Sequence, residues 1–248
     1  MKENQEKELY SVLKQKEYAT IDELATAIYA SPSTVRRRLT ELEKKGLVTR
    51  THGGAQLTAD GQFPSFSIRS RVNIAGKKRI ALSALKLIKN GDILFLDGST
   101  SAFFIAEYLK EFSGIKVITN GIDTLSLLSK NGVDAYSTGG RISEQNRSVL
   151  VGAYAEHVVE NLQADLLFFS AQSVQENGGV YDCFEEENLI RKRMMAQSTK
   201  RVLLCDDTKL HRTSPFKLCN VQNVDYIVCE RDLKEYFSVS ELPEIIFD

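Results

Sequence analysis

The residues best suited to chemistry lie in short polar runs that follow apolar ones. Ile93-Leu94-Phe95-Leu96 reads as a buried strand and passes directly into Asp97-Gly98-Ser99-Thr100-Ser101, after which Ala102 to Leu109 has helical character. A strand that turns through glycine and hydroxyl residues into a helix gathers backbone N–H groups and side-chain donors, an arrangement that holds an anion such as phosphate. Asn120-Gly121, Gly139-Gly140-Arg141 and Asp206-Asp207-Thr208-Lys209 follow other apolar runs in the same way. Any one of these loops could be ordinary turn chemistry. Several of them at one sheet edge point to a binding site.

A second concentration of chemistry is cationic. Between Ser31 and His52 there are six lysines or arginines (Arg36, Arg37, Arg38, Lys44, Lys45, Arg50) against two acids (Glu41, Glu43), although the whole chain carries a net charge of only -1. A duplex presents a dense row of phosphates, so a local excess of positive charge matters more than the net value.

These residues need elements to position them. Leu9, Val12 and Leu13 lie at helical spacing within residues 6–16. Thr20-Ile21-Asp22-Glu23 has the form of a capping box that opens a second, short helix with Ile21, Leu24, Ala25 and Ile28 on its apolar stripe. Ser31 can cap a third helix, with Pro32 at the first helical position and Gly46 as its stop. Two short helices joined by a brief turn form a helix-turn-helix whose second helix should read DNA. In that helix Val35, Leu39 and Leu42 face the core, so at about 100° per residue Arg37 and Lys44 point away from it, with Ser33 and Thr40 nearby and Arg36 at the flank. Residues 47–57, turning at His52-Gly53-Gly54, form a small hairpin wing whose basic tip can approach the sugar-phosphate backbone.

Beyond a linker at 58–75, in which Phe63, Phe66 and Ile68 are expected to dock on a domain, strand and helix alternate. Strands are expected at 93–97, 115–119, 133–137, 166–170, 201–205 and 225–229, and helices near 101–112, 121–131, 150–163 and 185–199. Continuous apolar strands alternating with helices imply a mostly parallel sheet covered on both faces, an α/β domain whose ligands bind at the carboxyl ends of the strands.

The run SPSTVRRRLTELEKKGLVTRTHGGA resembles the N-terminal signature of DeoR-type transcriptional regulators, except that Arg38 stands where that family usually has aspartate. The later segments LDGST, VITNGID, TGGRI, SVLVG, LLCDDTK and VDYIVCERD resemble the same family's effector domain, so the likeness covers nearly the whole chain. Two departures are the Gly-Ser order in DGST and the Phe169-Ser170-Ala171 run where a glycine is common. The resemblance implies a winged helix-turn-helix at 1–57 and, at 76–248, the fold shared by ribose-5-phosphate isomerases, sugar-phosphate deaminases and coenzyme A transferases. It implies operator contacts from Ser33, Thr34, Arg36, Arg37, Arg38, Thr40, Lys44, Arg50 and His52. It also implies a phosphorylated-sugar effector held by Asp97, Gly98, Ser99, Thr100, Ser101, Asn120, Gly140, Arg141 and Lys209. Because one reading helix covers only a half-site, a homo-oligomer, dimer or tetramer, is expected.

The competing reading is a sugar-phosphate isomerase or deaminase using Asp97, Glu185 to Glu187 or Lys209 as acid-base groups. The glutamates, however, open a helix that ends in basic residues, which suits its dipole, and no histidine or cysteine is placed to partner them. A helix-turn-helix would also be unexplained in a plain enzyme, so a regulator without catalytic residues is expected. The four cysteines form no close pair and suggest neither a metal site nor a disulfide framework, and no cofactor is called for. No stretch approaches the roughly 18 to 20 apolar residues of a membrane span, and the start MKENQEKELY is too polar for a secretory signal, so a cytoplasmic protein is expected.

Overall fold

The computed structural model describes residues 2–16, 18–44, 48–51, 53–57 and 63–247, with the backbone alone at 2–4 and 44. The chain divides into two units, Met1–Asn73 and Ile74–Asp248.

The first unit contains α1 (Lys2–Lys16), β1 (Tyr18–Thr20), α2 (Ile21–Ala27), α3 (Pro32–Lys44), β2 (Val48–Thr51), β3 (Gly54–Leu57) and α4 (Phe66–Arg71). The apolar stripes of three helices meet in one core: Leu9 and Leu13, Ile21, Leu24 and Ala25, and Val35, Leu39 and Leu42, closed by Val48 and Ala55 of the wing. Thr20 opens α2 as its spacing predicts. The Glu23 amide donates to Thr20 Oγ1 at 3.2 Å, and the Thr20 amide donates to Glu23 Oε2 at 2.8 Å. The bond from the Thr20 amide is the main reason the Glu23 carboxyl sits below its ordinary pKa.

The wing holds more than a hairpin. β3 pairs antiparallel with β2 on one side and with β1 on the other. Gly54 allows this, since a Cβ there would come within 2.4 Å of the Ala19 carbonyl oxygen. The expected helix stop at Gly46 lies outside the described residues, as do 58–62 of the expected linker. The rest of that linker is not extended chain. Pro64 and Ser65 lead into α4, where Phe66 and Ile68 are buried, and the next helix begins at Ile74 rather than near 76.

The second unit runs α5 (Ile74–Leu85), β4 (Ile93–Leu96), α6 (Thr100–Ala106), β5 (Lys116–Thr119), α7 (Ile122–Lys130), β6 (Asp134–Ser137), β7 (Arg141–Ile142), β8 (Leu150–Val151), α8 (Ala153–Glu160), β9 (Ala164–Phe169), β10 (Ser173–Val174), β11 (Gly179–Asp182), α9 (Glu185–Ala196), β12 (Ser198–Cys205), β13 (Phe216–Asn220), β14 (Tyr226–Cys229) and β15 (Glu244–Phe247). Seven strands form one parallel sheet in the order β15-β14-β12-β9-β4-β5-β6. Its apolar runs are buried because both faces are covered. Phe95, Leu167, Phe169 and Leu203 pack beneath Ala155, Val159, Ile190 and Met194 of α8 and α9. Leu94, Leu96, Phe168 and Leu204 pack beneath Ile80, Ala84 and Ile105 of α5 and α6.

The chain departs from the simple alternation in three places. β15 adds a seventh strand, β7 and β8 form a short ribbon, and β10, β11 and β13 make a small antiparallel sheet. The expected helix at 101–112 ends at Ala106 and continues only as a 3₁₀ turn at Leu109–Glu111. Burial pushes the Cys219 and Cys229 thiols up to about 12, consistent with packed rather than reactive groups. Among the described residues no helix is long and apolar enough to cross a membrane.

Thr20→Ala is expected to destabilise the first unit by about 1 kcal/mol, measured by urea unfolding. Glu23→Ala should also destabilise it, by a difference from wild type that shrinks as the pH falls through the carboxylate range. Glu23 has a lowered folded pKa, so its contribution is present above the unfolded value and lost on protonation.

Candidate functional site

The outer face of α3 is built as its periodicity requires. Arg36, Arg37 and Ser33 are exposed, while Val35, Leu39 and Leu42 face inward. Ser31 Oγ accepts from the Thr34 amide at 3.3 Å and shares 2.9 Å hydrogen bonds with the hydroxyls of Ser33 and Thr34, so the start of the helix is ringed by hydroxyls. Thr40 and Arg50 belong together. The Thr40 hydroxyl donates to the Arg36 carbonyl at 3.0 Å and accepts from Arg50 Nη1 at 2.7 Å, and the Arg50 amide donates to Glu43 Oε1 at 3.0 Å. These bonds fix the wing strand β2 against α3. Among the described residues Arg36 and Arg37 make no ion pair, which leaves two guanidinium forks presented to solvent.

Arg38 does not join them. Its side chain is only 6% exposed, and Nε donates to Gln5 Oε1 of α1 at 3.3 Å. It lies one helical turn from Val35 and Leu42, on the side that packs, so its role is to hold α3 against α1. The expectation of a DNA contact there is corrected accordingly. His52 and the side chain of Lys44 lie outside the described residues.

In the second unit the chain proceeds from β4 to β5 and β6 in one direction, then places β9 on the opposite side of β4 and continues to β12, β14 and β15. The carboxyl ends of β4 and β9 therefore form the topological switch point, the place where open parallel sheets generally bind ligands. Asp97 follows β4 there and is fully buried. Its Oδ1 accepts from the Ser99 amide at 3.1 Å, and its Oδ2 accepts from the Ser170 amide at 3.2 Å and from Arg191 Nε at 2.9 Å. Asp97 is thus spent on fixing the loop and does not open toward a ligand.

Arg191, on α9, reaches two further carboxylates. Nη1 contacts Asp182 Oδ2 at 2.9 Å and Nη2 contacts Glu187 Oε2 at 3.0 Å, while Asn146 donates to the other oxygen of Glu187 at 2.9 Å. Burial disfavours the Arg191 cation, but Asp182, Asp97 and Glu187 overcome this and hold its pKa above the ordinary value. In the sequence Arg191 is only one of the basic residues that end this helix. Its signal was the Glu187-to-Arg191 spacing of four on the face that also carries Ile190 and Met194.

The neighbouring loops converge on Gly98. A Cβ at Gly98 would lie 2.2 Å from Val149 Cγ1, and one at Gly121 would lie 2.9 Å from the Gly98 Cα. The loop after β4 therefore meets the loop after β5 backbone to backbone. Ser99 Oγ accepts from the Ala102 amide at 3.2 Å, and Thr100 and Ser101 are buried at the start of α6. Asn120 donates Nδ2 to the Leu150 carbonyl at 3.2 Å, yet its buried Oδ1 has no hydrogen-bond partner among the described residues.

Gly140 has φ 96°, and a Cβ there would meet the Val151 carbonyl oxygen at 2.6 Å. Arg141 is half-exposed and ion-paired with Glu186. Beyond β12, Asp206 Oδ1 accepts from the amide and hydroxyl of Thr208, but its buried Oδ2 is unpartnered among the described residues. Burial pushes the Asp206 carboxyl up, while Lys209, then Lys77, and the Thr208 bonds more than reverse this and hold it below its ordinary value. Asp206 was not singled out in the sequence. It stands out only once its burial is seen.

Two family models match this chain. Residues 6–60 match the DeoR-like helix-turn-helix domain, and residues 72–231 match the DeoR C terminal sensor domain. The chain belongs to the DeoR family of transcriptional regulators.

Relatives agree along nearly the whole length. The HTH-type transcriptional regulator GolR of Listeria innocua is 32% identical, covering 90% of this chain and 89% of its own. The putative aga operon transcriptional repressor of Escherichia coli is 29% identical over 89% and 83%. The L-fucose operon activator of Haemophilus influenzae is 30% identical over 88% and 87%. As a DeoR-type regulator the chain is not an enzyme, and its acids are employed otherwise: Glu186 pairs with Arg141 and Glu187 with Arg191. Both departures in the effector domain have structural counterparts in this DeoR chain. Gly98 sits where Val149 and Gly121 leave no room for a side chain, and the Ser170 hydroxyl donates to the Leu204 carbonyl at 2.7 Å, tying β9 to β12.

Arg191→Leu is expected to destabilise the second unit by about 3 to 5 kcal/mol, because it leaves three buried carboxylates without their cation. Differential scanning calorimetry of the full chain should show the loss in the transition of that unit.

Proposed function

We propose that this regulator represses a sugar uptake or catabolism operon and that a phosphorylated sugar bound at the switch-point crevice releases it from operator DNA. The observation that carries the effector half is the pair of buried acceptors, Asn120 Oδ1 and Asp206 Oδ2, at the ends of β5 and β12. A buried acceptor without a donor costs free energy. A sugar hydroxyl can supply the missing donor at whichever it reaches, the two lying three strands apart in the sheet order β12-β9-β4-β5. Lys209, the backbone of Gly98 to Ser101 and the Gly140-Arg141 turn surround the same sheet end and suit the phosphate. The naming of relatives after the aga and L-fucose operons supports a sugar-related target.

The operator half rests on Arg36 and Arg37, with Ser33 and Thr34 beside them at the start of α3. A guanidinium fork matches a guanine edge or a phosphate in two places at once. One α3 spans a half-site, so the chain acts as a dimer or larger oligomer in the cytoplasm. If the sugar phosphate prefers the arrangement that cannot span two half-sites, DNA and effector weaken each other's binding by the same factor.

A duplex selected from a random library by the wild-type chain provides the probe. Arg37→Ala should weaken binding to it by roughly 5- to 150-fold at fixed salt, the range for loss of one base-reading arginine; unchanged affinity removes Arg37 from the reading face. A thermal-shift screen of hexose, pentose, tagatose and fructose phosphates should find a compound that raises the melting temperature. Lys209→Ala should bind the duplex normally and lose both that shift and release by the same compound. A normal response in this variant would place the effector elsewhere, and tighter operator binding with effector would overturn release by the effector.

A further inference from the structure

Tyr29 occupies a position that the fold itself does not favour. α2 closes with the Ile28 amide donating to the Leu24 carbonyl at 3.1 Å and the Ala30 amide donating to the Ala25 carbonyl at 2.9 Å, which makes Tyr29 the residue just past the helix end. Its backbone is left-handed, with φ 49°. That place favours glycine or asparagine, because a Cβ crowds the adjacent carbonyl. On either side of it Ile28 is buried and Ala30 packs on the core, but the Tyr29 side chain is 97% exposed. Burial therefore does not offset the unfavourable backbone. A strained residue that gains nothing from packing is a candidate for function.

The direction of that exposure supplies the function. The turn Ile28 to Ser31 joins α2 to the reading helix, and Ser31 caps that helix two residues after Tyr29. In a helix-turn-helix the start of the second helix enters the major groove, so the turn before it meets the groove's edge. A phenol there carries one donor and a flat apolar ring, suited to a phosphate oxygen and the adjoining sugar.

We propose that Tyr29 contacts DNA, its hydroxyl donating to a backbone phosphate at the groove edge where α3 enters. The contact is independent of base sequence and holds the register in which Arg36 and Arg37 read. The proposal rests on the DNA-reading role assigned to α3.

The test measures duplex affinity and melting temperature of the full chain for Tyr29→Asn, Tyr29→Phe and Arg37→Ala, using the selected duplex and a scrambled one at the same salt. Tyr29→Asn should raise the melting temperature by relieving the left-handed backbone, yet weaken both duplexes by the same factor, roughly 10- to 150-fold for one hydrogen bond to a charged group. Tyr29→Phe should leave the melting temperature unchanged and weaken both duplexes similarly. Wild-type affinity in either Tyr29 variant overturns the proposal, as does a change in oligomeric state in place of a change in affinity. Arg37→Ala separates the two levels. If it too retains full affinity, the reading face has failed; if it alone weakens binding, only the role of Tyr29 has.

Discussion

One buried cation, Arg191, ties together three parts of the second unit. Arg191 is held by Asp97 from the end of β4, Asp182 from β11 and Glu187 from its own helix, so one guanidinium links the main sheet, the small antiparallel sheet and α9. Such a cluster is not an efficient source of stability, because taking one cation and three carboxylates out of water costs much of what their attraction returns. Its effect is positional. Asp97 in turn fixes the Ser99 and Ser170 amides, so the loop at the switch point is set by α9 from behind. A crevice whose floor is locked in this way can present its remaining polar atoms to a ligand without rearranging.

That lock also sorts the polar residues at the sheet end. Asp97, Ser170 and Glu187 have filled hydrogen-bonding capacity directed into the protein. Asn120 Oδ1 and Asp206 Oδ2 are buried with capacity left over. The distinction is one of bookkeeping at individual atoms, and it narrows the proposed effector site from a row of polar loops to specific acceptors. Lys209 and Lys77 complete the picture, since they hold Asp206 ionised despite its burial and keep it an acceptor only.

The fold was largely legible from periodicity. Helical stripes in the first unit and unbroken apolar runs in the second identified the winged helix-turn-helix and the parallel α/β sheet, because each pattern reflects which faces must leave water. β1, β7, β8, β10, β11, β13 and β15 escaped because short strands outside the strand-helix alternation are fixed by their partners, and their own sequence carries too few positions to show a period. The candidate site was legible as a set of loops but not as a set of roles. Nothing in Asp97-Gly98-Ser99 distinguishes a carboxylate that faces a ligand from one that accepts from Arg191.

Arginine shows where the limit lies. Arg36, Arg37 and Arg38 are consecutive and chemically identical, yet the helix turns about 100° between them, so two face solvent and the third packs on α1. Arg191 repeats the lesson in the other unit, on a helix whose charge pattern reads as a solvated surface. Burial decides which guanidinium is left to solvent and which is a strut. In the first unit the apolar stripe of α3 carried a signal that the expected operator contact of Arg38 ignored, because Arg38 falls on the same side as Val35 and Leu42. In the second the partners come from β4 and β11, far away in sequence, and only the completed sheet brings them to α9.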